Sequence, residues 1–308
     1  MFIEIVMMNQ KSHVLIAGGT GLIGSRLTTL LLEEGFLVSY LSREAKTKNG
    51  IPSYQWNPET KTLDASALVG ITHIVNLAGE SIAGSHWSDS FKEKIIKSRL
   101  DASATLLHAL QTQKNNVVAI IGSSAIGIYG DRANELLFEE SKTGIGFLSE
   151  TVTKWEASYD HFPIRNVLLR TGIVLSKNGG ALVPMSTPIK FGITPILGSG
   201  KQYMSWIHID DICNMYIHAI RNESMAGVYN AVAPSPVCHQ SFMLSLRSII
   251  NKISIPISVP TFLLNIIMGE QKAIVLDSVK ASATKIIKSD FVFQFSNLDT
   301  TLKDIYEK

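Results

Sequence analysis

Two cysteines in 308 residues, Cys213 and Cys238, stand apart and lack metal-ligand spacing. That scarcity argues against a disulfide framework or a cysteine-held zinc site, and no metal is expected. Excess charge is equally short. Against 28 Lys and Arg stand 26 Asp and Glu, a net charge of +2, with no basic run. Neither nucleic acid nor an anionic membrane surface is an expected partner. No apolar run approaches the roughly 20 residues of a membrane span. The apolar opening MFIEIVMMNQK lacks a basic leader and a small-residue cleavage site. It is therefore not expected to be a signal peptide, and the chain is expected to be cytoplasmic.

What is present is an ordinary globular composition, 45% apolar and 18% charged, long enough for one large or two modest domains. Strand-like and helix-like stretches alternate through the first half. HVLIA (13–17) is a buried-strand run, and LIGSRLTTLLLEEG carries a helical leucine stripe stopped by Gly35. Strands are expected at FLVSYLS, HIVNLAG, VVAIIGSS and RNVLLRTGIVLS, and helices at 87–110 and 147–162. This alternation predicts a Rossmann-type doubly wound parallel α/β sheet with a smaller mixed α/β C-terminal lobe. The expected division is a dinucleotide-binding domain at 12–176, completed by segments around 203–233. Residues 177–202 and 234–308 form the smaller lobe, with 177–202, dense in Gly and Pro, mostly loop.

Gly18, Gly21 and Gly24 lie between the first strand and the first helix. Glycine permits the tight turn and lets pyrophosphate approach the backbone, where helix N–H groups and the helix dipole favour an anion. The second strand ends in Ser42 and Arg43, with Glu44 beyond the tip rather than an acid on it. An acid there would take the ribose 2′-OH of NAD, whereas a guanidinium matches the extra phosphate of NADP. NADP(H) is therefore expected over NAD(H).

These motifs, with VNLAGESI, KSRLDASATLL, SSAIGIYGD, GSGKQYMSWIHIDD and MGEQKAIVLDSVKASATKI, resemble one family along nearly the whole chain. It is the extended short-chain dehydrogenase/reductase superfamily of NAD(P)-dependent epimerases and dehydratases. The match is to its atypical "epimerase family protein" group with its own C-terminal domain. The resemblance implies that Gly18, Gly21 and Gly24 cradle the pyrophosphate, with Leu22 and Ile23 adding backbone, and that Ser42 and Arg43 hold the adenosine phosphate. It also implies that Asn76, Leu77, Ala78 and Gly79 line the ribose and nicotinamide side. The resemblance further implies that Ser98, Arg99, Thr171 and Ile173 close the pocket.

Ordinary members carry Tyr-x-x-x-Lys, whose spacing puts phenol and ammonium on one helix face so that the lysine lowers the tyrosine pKa. No tyrosine of this chain has lysine four residues on. Alignment puts Leu148 and Val152 where the pair stands and Ala125 where the usual serine stands. Three other residues are candidates for chemistry: Tyr129 and Ser124 near the fifth-strand exit, and His208 in WIHIDD. The alternative for His208 is a strand residue ahead of a helix capped by Asp210 or Asp211. His86 with Trp87, and Lys201 with Gln202, are either a substrate mouth or rim polarity. Two functions are expected: an NADP(H)-dependent epimerase or oxidoreductase acting on a small sugar-like or carbonyl substrate, or a non-catalytic redox sensor or scaffold. Either is expected as a monomer or homodimer.

Overall fold

Val14, Leu15, Ile16 and Ala17 are fully buried in β1 (His13–Ala17), as a strand covered on both faces requires. They belong to a computed structural model that describes residues 12–45, 47 and 50–307. The signal-peptide expectation for 1–11 lies outside the described residues. α1 (Leu22–Glu33) turns Leu27 and Leu31 inward. It closes with Gly35 N–H on Leu32 O and Phe36 N–H on Leu31 O, around Gly35 at φ +82°.

β2 (Leu37–Ser42), β3 (Ser53–Asn57) and β4 (Thr62–Leu63) follow, then β5 (His73–Asn76), α2 (Asp89–Thr112) and β6 (Ala119–Ala125). A 3-10 turn (Ile126–Tyr129) leads to β7 (Leu136–Leu137), α3 (Phe147–Ala157) and β8 (Arg165–Thr171). Next come β9 (Ile173–Ser176), β10 (Gly179–Gly180), α4 (Leu182–Lys190), β11 (Ile193–Leu197), β12 (Tyr203–Met204), β13 (Trp206–His208), α5 (Ile209–Arg221) and β14 (Gly227–Ala231). The remainder is β15 (Val237–Cys238), α6 (His239–Ile250), β16 (Ile255–Val259), α7 (Thr261–Met268), α8 (Ala273–Leu276), β17 (Lys280–Ala281), α9 (Thr284–Ile287) and α10 (Leu298–Glu307).

The main sheet has the order β14-β8-β6-β5-β1-β2-β3-β4, with antiparallel pairing only at β3–β4. The chain moves outward from β1 through β2, then returns to β5 on the other side of β1. That reversal opens a crevice at the carboxyl ends of β1 and β5. Alternation divides the core: Val14 and Ile16 join the cluster on one face, Leu15 and Ala17 that on the other. A third cluster, with Trp206, Phe242 and Leu246, holds the smaller lobe.

Three sequence expectations change. RNVLLRTGIVLS is two strands, because the chain bends at Gly172, where a Cβ would lie 2.5 Å from Ser205 O. β8 stays in the main sheet while β9 joins β10 and β13. Residues 177–202 are not mostly loop, since they hold α4 and β11. Pro184 sits in the first turn of α4, where no N–H is missed, and Pro188 falls near its end. Finally, the cap of α5 is His208, whose Nδ1 accepts from Asp210 N–H at 3.1 Å. Asp211 instead accepts from the N–H groups of Gln294 (2.9 Å) and Phe295 (3.0 Å), tying α5 to the C-terminal segment.

In the smaller lobe β11 pairs with β16 in parallel, matching Ile193 with Ile255, Pro195 with Ile257 and Leu197 with Val259. Ile196 on the opposite face packs into the third cluster, leaving Ile193, Ile255 and Ile257 exposed. Ile255 N–H donates to Gly192 O, so Pro256 and Ser258 face away from the pair.

Asp277, just after α8, is pushed up to about 6 by burial and by the nearby Asp131 carboxylate. The fold therefore favours the protonated form, and stability falls as pH rises from the unfolded value near 4 through about 6. Asp277→Asn is expected to flatten that interval of a thermal-unfolding series, and an unchanged slope would clear Asp277 of the effect.

Candidate functional site

The turn after β1 is built without side chains where it matters. Gly18 has φ +84°, and a Cβ there would lie 2.9 Å from the Leu77 carbonyl carbon and oxygen at the β5 exit. A Cβ on Gly24 would lie 2.3 Å from Gly18 O, so the helix packs directly on the turn. Gly21 stands at the N-cap of α1, donating its N–H to Gly18 O at 3.1 Å, and no side chain caps the helix. The first-turn N–H groups of Leu22, Ile23 and Gly24 have no intrahelical acceptor, a cradle that fits a pyrophosphate. Gly19 escaped the sequence reading. Its Cβ would lie 2.3 Å from the ring of Tyr40, which packs under the turn and donates to Thr28 Oγ1 at 2.9 Å. Only the paired register of β1 and β2 reveals that requirement.

Parallel pairing brings the other predicted positions to the same edge. Ala17 pairs with Leu41 and with Asn76, Asn76 with Gly122, and Ala125 with Thr171. Ser42 ends β2, its Oγ accepting from Glu44 N–H at 3.4 Å, and Arg43 beside it is exposed. Asn76 is fully buried and shapes the turn. It donates to Tyr159 OH at 2.8 Å and accepts from Ala78 N–H at 3.1 Å. Ser98 Oγ accepts from Glu80 N–H at 2.9 Å, and Arg99 Nη1 donates to Glu80 O at 3.0 Å and Ile95 O at 2.9 Å. The Arg99 guanidinium also lies 4.9 Å from the Trp155 ring centroid, and burial pulls its pKa to about 10. Ser98 and Arg99 thus hold the Leu77–Glu80 turn onto α2. Ile173 follows Thr171 across the bend at Gly172.

The three candidates for acid–base chemistry, Tyr129, Ser124 and His208, are all buried. Tyr129 is fully buried, donates to Asn230 Oδ1 at 2.7 Å and accepts from Arg170 Nη1 at 2.9 Å. Burial raises its pKa, so the phenol stays neutral. Ser124 is buried and donates to Glu156 Oε1 at 2.5 Å. His208 is buried, caps α5, and stacks on Phe295 at 3.8 Å between centroids. At the aligned positions, Val152 is buried and Leu148 packs 3.4 Å from the point a Gly127 Cβ would occupy.

Glu156, passed over in the sequence, organises this region. It takes both Arg170 Nε and Nη2 at 2.8 Å, while Arg170 Nη1 also reaches Glu139 O at 2.9 Å. Burial alone would depress the guanidinium, but the bonds and charge of Glu156 raise it. No spacing within α3 signals the pair, because its partner is on β8.

On the flank of α1, a cleft of about 670 Å³ is lined by Gly21, Leu22, Arg26, Lys177, Asp210 and Asp304. Arg26 crosses it to Asp210 in a two-point bond of 2.6 and 3.0 Å. Among the described residues no group of three or more His, Cys, Asp or Glu forms a metal cluster, and no helix is long and apolar enough to cross a membrane.

The switch-point crevice and glycine cradle define a dinucleotide-binding protein of the doubly wound class. Residues 14–231 match the model of the NAD dependent epimerase/dehydratase family, and 259–305 match a domain of unknown function, DUF1731. The chain belongs to that family. It is 33% identical to epimerase family protein YfhF of Bacillus subtilis over 304 residues, covering 95% of this chain and 97% of the relative. Human epimerase family protein SDR39U1 is 32% identical over 300 residues, covering 95% and 99%. The crystal structure of the human protein (isoform 2) with NADPH superposes with a TM-score of 0.86 at 30% identity, covering 96% of this chain and 99% of that one.

Replacing Glu156 with Leu leaves Arg170 charged and buried without its carboxylate. A loss of about 3–5 kcal/mol in unfolding free energy is expected, measured by denaturant titration. A loss under about 1 kcal/mol would mean that the pair is not holding the region.

Proposed function

We propose that this chain binds NADP(H) in preference to NAD(H) and carries out hydride transfer with a small sugar-like or carbonyl-bearing substrate, as an epimerase or oxidoreductase. The observation that carries the reading is the side-chain-free cradle at the switch point, with Arg43 and no acid at the tip of β2. Gly18, Gly21, Leu22, Ile23 and Gly24 hold the pyrophosphate through backbone N–H groups. Ser42 and Arg43 take the adenosine phosphate, the planar guanidinium suiting phosphate oxygens. Asn76 to Gly79, positioned by Ser98 and Arg99, line the ribose and nicotinamide with Thr171 and Ile173. The bound nicotinamide supplies hydride chemistry, and the chain's task is to orient its partner and exclude water. NADPH in the human relative's crystal supports the same cofactor here.

Tyr129, Ser124 and His208 have no part in this reading, because each is buried and bonded elsewhere. A second reading, a non-catalytic NADP(H) sensor or scaffold, draws support from the apolar Ala125, Leu148 and Val152. A ligand bound only by the folded state raises its stability without turnover.

Purified protein is expected to melt higher with NADPH than with equal NADH, and Arg43→Ala should erase most of that difference. Equal shifts with both cofactors would refute the preference. Stabilisation without NADPH oxidation across aldehydes, ketones, quinones and nucleotide sugars would favour the sensor. With a substrate in hand, Tyr129→Phe is expected to lower the melting temperature and leave kcat within about twofold.

A further inference from the structure

The crevice mouth is more informative about the substrate than about the catalyst. We propose that the substrate is an uncharged, apolar quinone-type acceptor, reduced without a proton from the protein, rather than a nucleoside diphosphate sugar. This rests on the hydride-transfer reading above.

The first observation is chemical. Adding hydride to a simple ketone leaves an alkoxide, a strong base that needs a general acid beside it. The positions where the wider superfamily keeps that acid are Ala125, Leu148 and Val152, and Ser124, Tyr129 and His208 are turned into the core. A quinone avoids the difficulty. Hydride transfer gives an aromatic hydroquinone monoanion, a phenolate-like base weak enough to be protonated by water. The balance is one quinone, one NADPH and one solvent proton in, with one hydroquinone and one NADP⁺ out. Two electrons pass with the hydride.

The second observation is the wall. The loop leaving β5 ends in Trp87, whose indole N–H donates to Ile82 O at 2.8 Å. The ring meets Phe147, the first residue of α3, edge to face at 4.8 Å between centroids. Phe147 precedes Leu148, so this aromatic pair joins the β5 exit loop to the helix whose polar pair is missing. The α7–α8 strap touches the same loop and the start of α2. Its Gln271 side chain donates to Ser85 O at 2.7 Å, Glu270 pairs with Lys92, and a Cβ on Gly269 would lie 3.7 Å from His86. Leading into these contacts, α7 exposes Phe262, Leu263, Ile266 and Ile267. Flat apolar rings suit such a rim.

The third observation is charge. A nucleoside diphosphate carries negative charge that a site must match with available cations. Beside this mouth Lys92 is ion-paired with Glu270 and Lys94 with Glu80 at 2.8 Å, while Lys272 donates to the neutral Asn265 Oδ1 at 2.6 Å. Arg99 is bonded to the Glu80 and Ile95 carbonyls.

The test uses full-length protein. First, NADP⁺ must raise the melting temperature. If it does not, the cofactor reading fails and this proposal falls with it. With NADP⁺ saturating, 1,4-naphthoquinone is expected to quench tryptophan fluorescence saturably and raise the melting temperature further, while UDP and UDP-glucose add nothing. Trp87→Ala and Phe147→Ala should raise the quinone Kd at least tenfold while leaving NADP⁺ affinity within threefold. With NADPH, quinone-dependent oxidation should exceed that with UDP-glucose or a simple ketone by at least 100-fold. A further rise in melting temperature with UDP-glucose but none with naphthoquinone would overturn the proposal. So would a tenfold loss of quinone turnover in His86→Ala, which would assign the proton to that rim imidazole.

Discussion

The main chain at Gly18 passes so close to the Leu77 carbonyl that no side chain fits between them. The rest of the molecule is arranged around that approach. It puts the end of β1 against the end of β5 where strand order reverses, and it lets α1 begin with its N–H groups directed at the gap. Gly24 seats the helix on the same turn, while the Tyr40 ring fills the space beneath Gly19. Side chains farther away then hold the partner strand in place. Asn76 is braced by Tyr159, and the turn after it is held by Ser98 and Arg99 on α2. Much of the chain's buried polar chemistry thus serves to shape backbone.

The same contrast runs through the part of the crevice beside β6 and β8. At the aligned positions the chain has hydrophobic side chains, and beneath them a dense ionic network. Glu156 and Arg170 gather Ser124, Tyr129 and Glu139 into one connected set. A buried pair of this kind is poor evidence for stability by itself, since desolvation offsets much of the attraction. Its evident effect is geometric. It joins β6, β8, α3 and the 3-10 turn into one braced unit at that end of the sheet.

The cradle was legible in the sequence because its signals are local: a buried strand, three glycines three apart, and a helix with an apolar stripe. The sheet followed from the alternation of elements. Other features required contacts between distant segments. Gly19 is constrained by a ring on the next strand, and Glu156 by an arginine on β8. Tyr129 sits near a strand exit, yet the 3-10 turn rotates it toward Asn230, about a hundred residues on. The cap of α5 misled for a related reason. Acidic residues at a helix start usually cap it, but Asp211 is occupied by the C-terminal segment and the preceding imidazole takes over. Glycine and proline density hid α4 and β11, because both prolines of α4 fall near its ends.

Pro256 bears on how copies of the chain coexist at high concentration. β16 is an edge strand with isoleucines on display, the arrangement from which intermolecular sheet growth usually starts. Its unpaired side lacks an amide hydrogen at Pro256, so an incoming strand would find one fewer rung to grip. The lobe can therefore keep an oily outer surface while resisting fibrillar stacking.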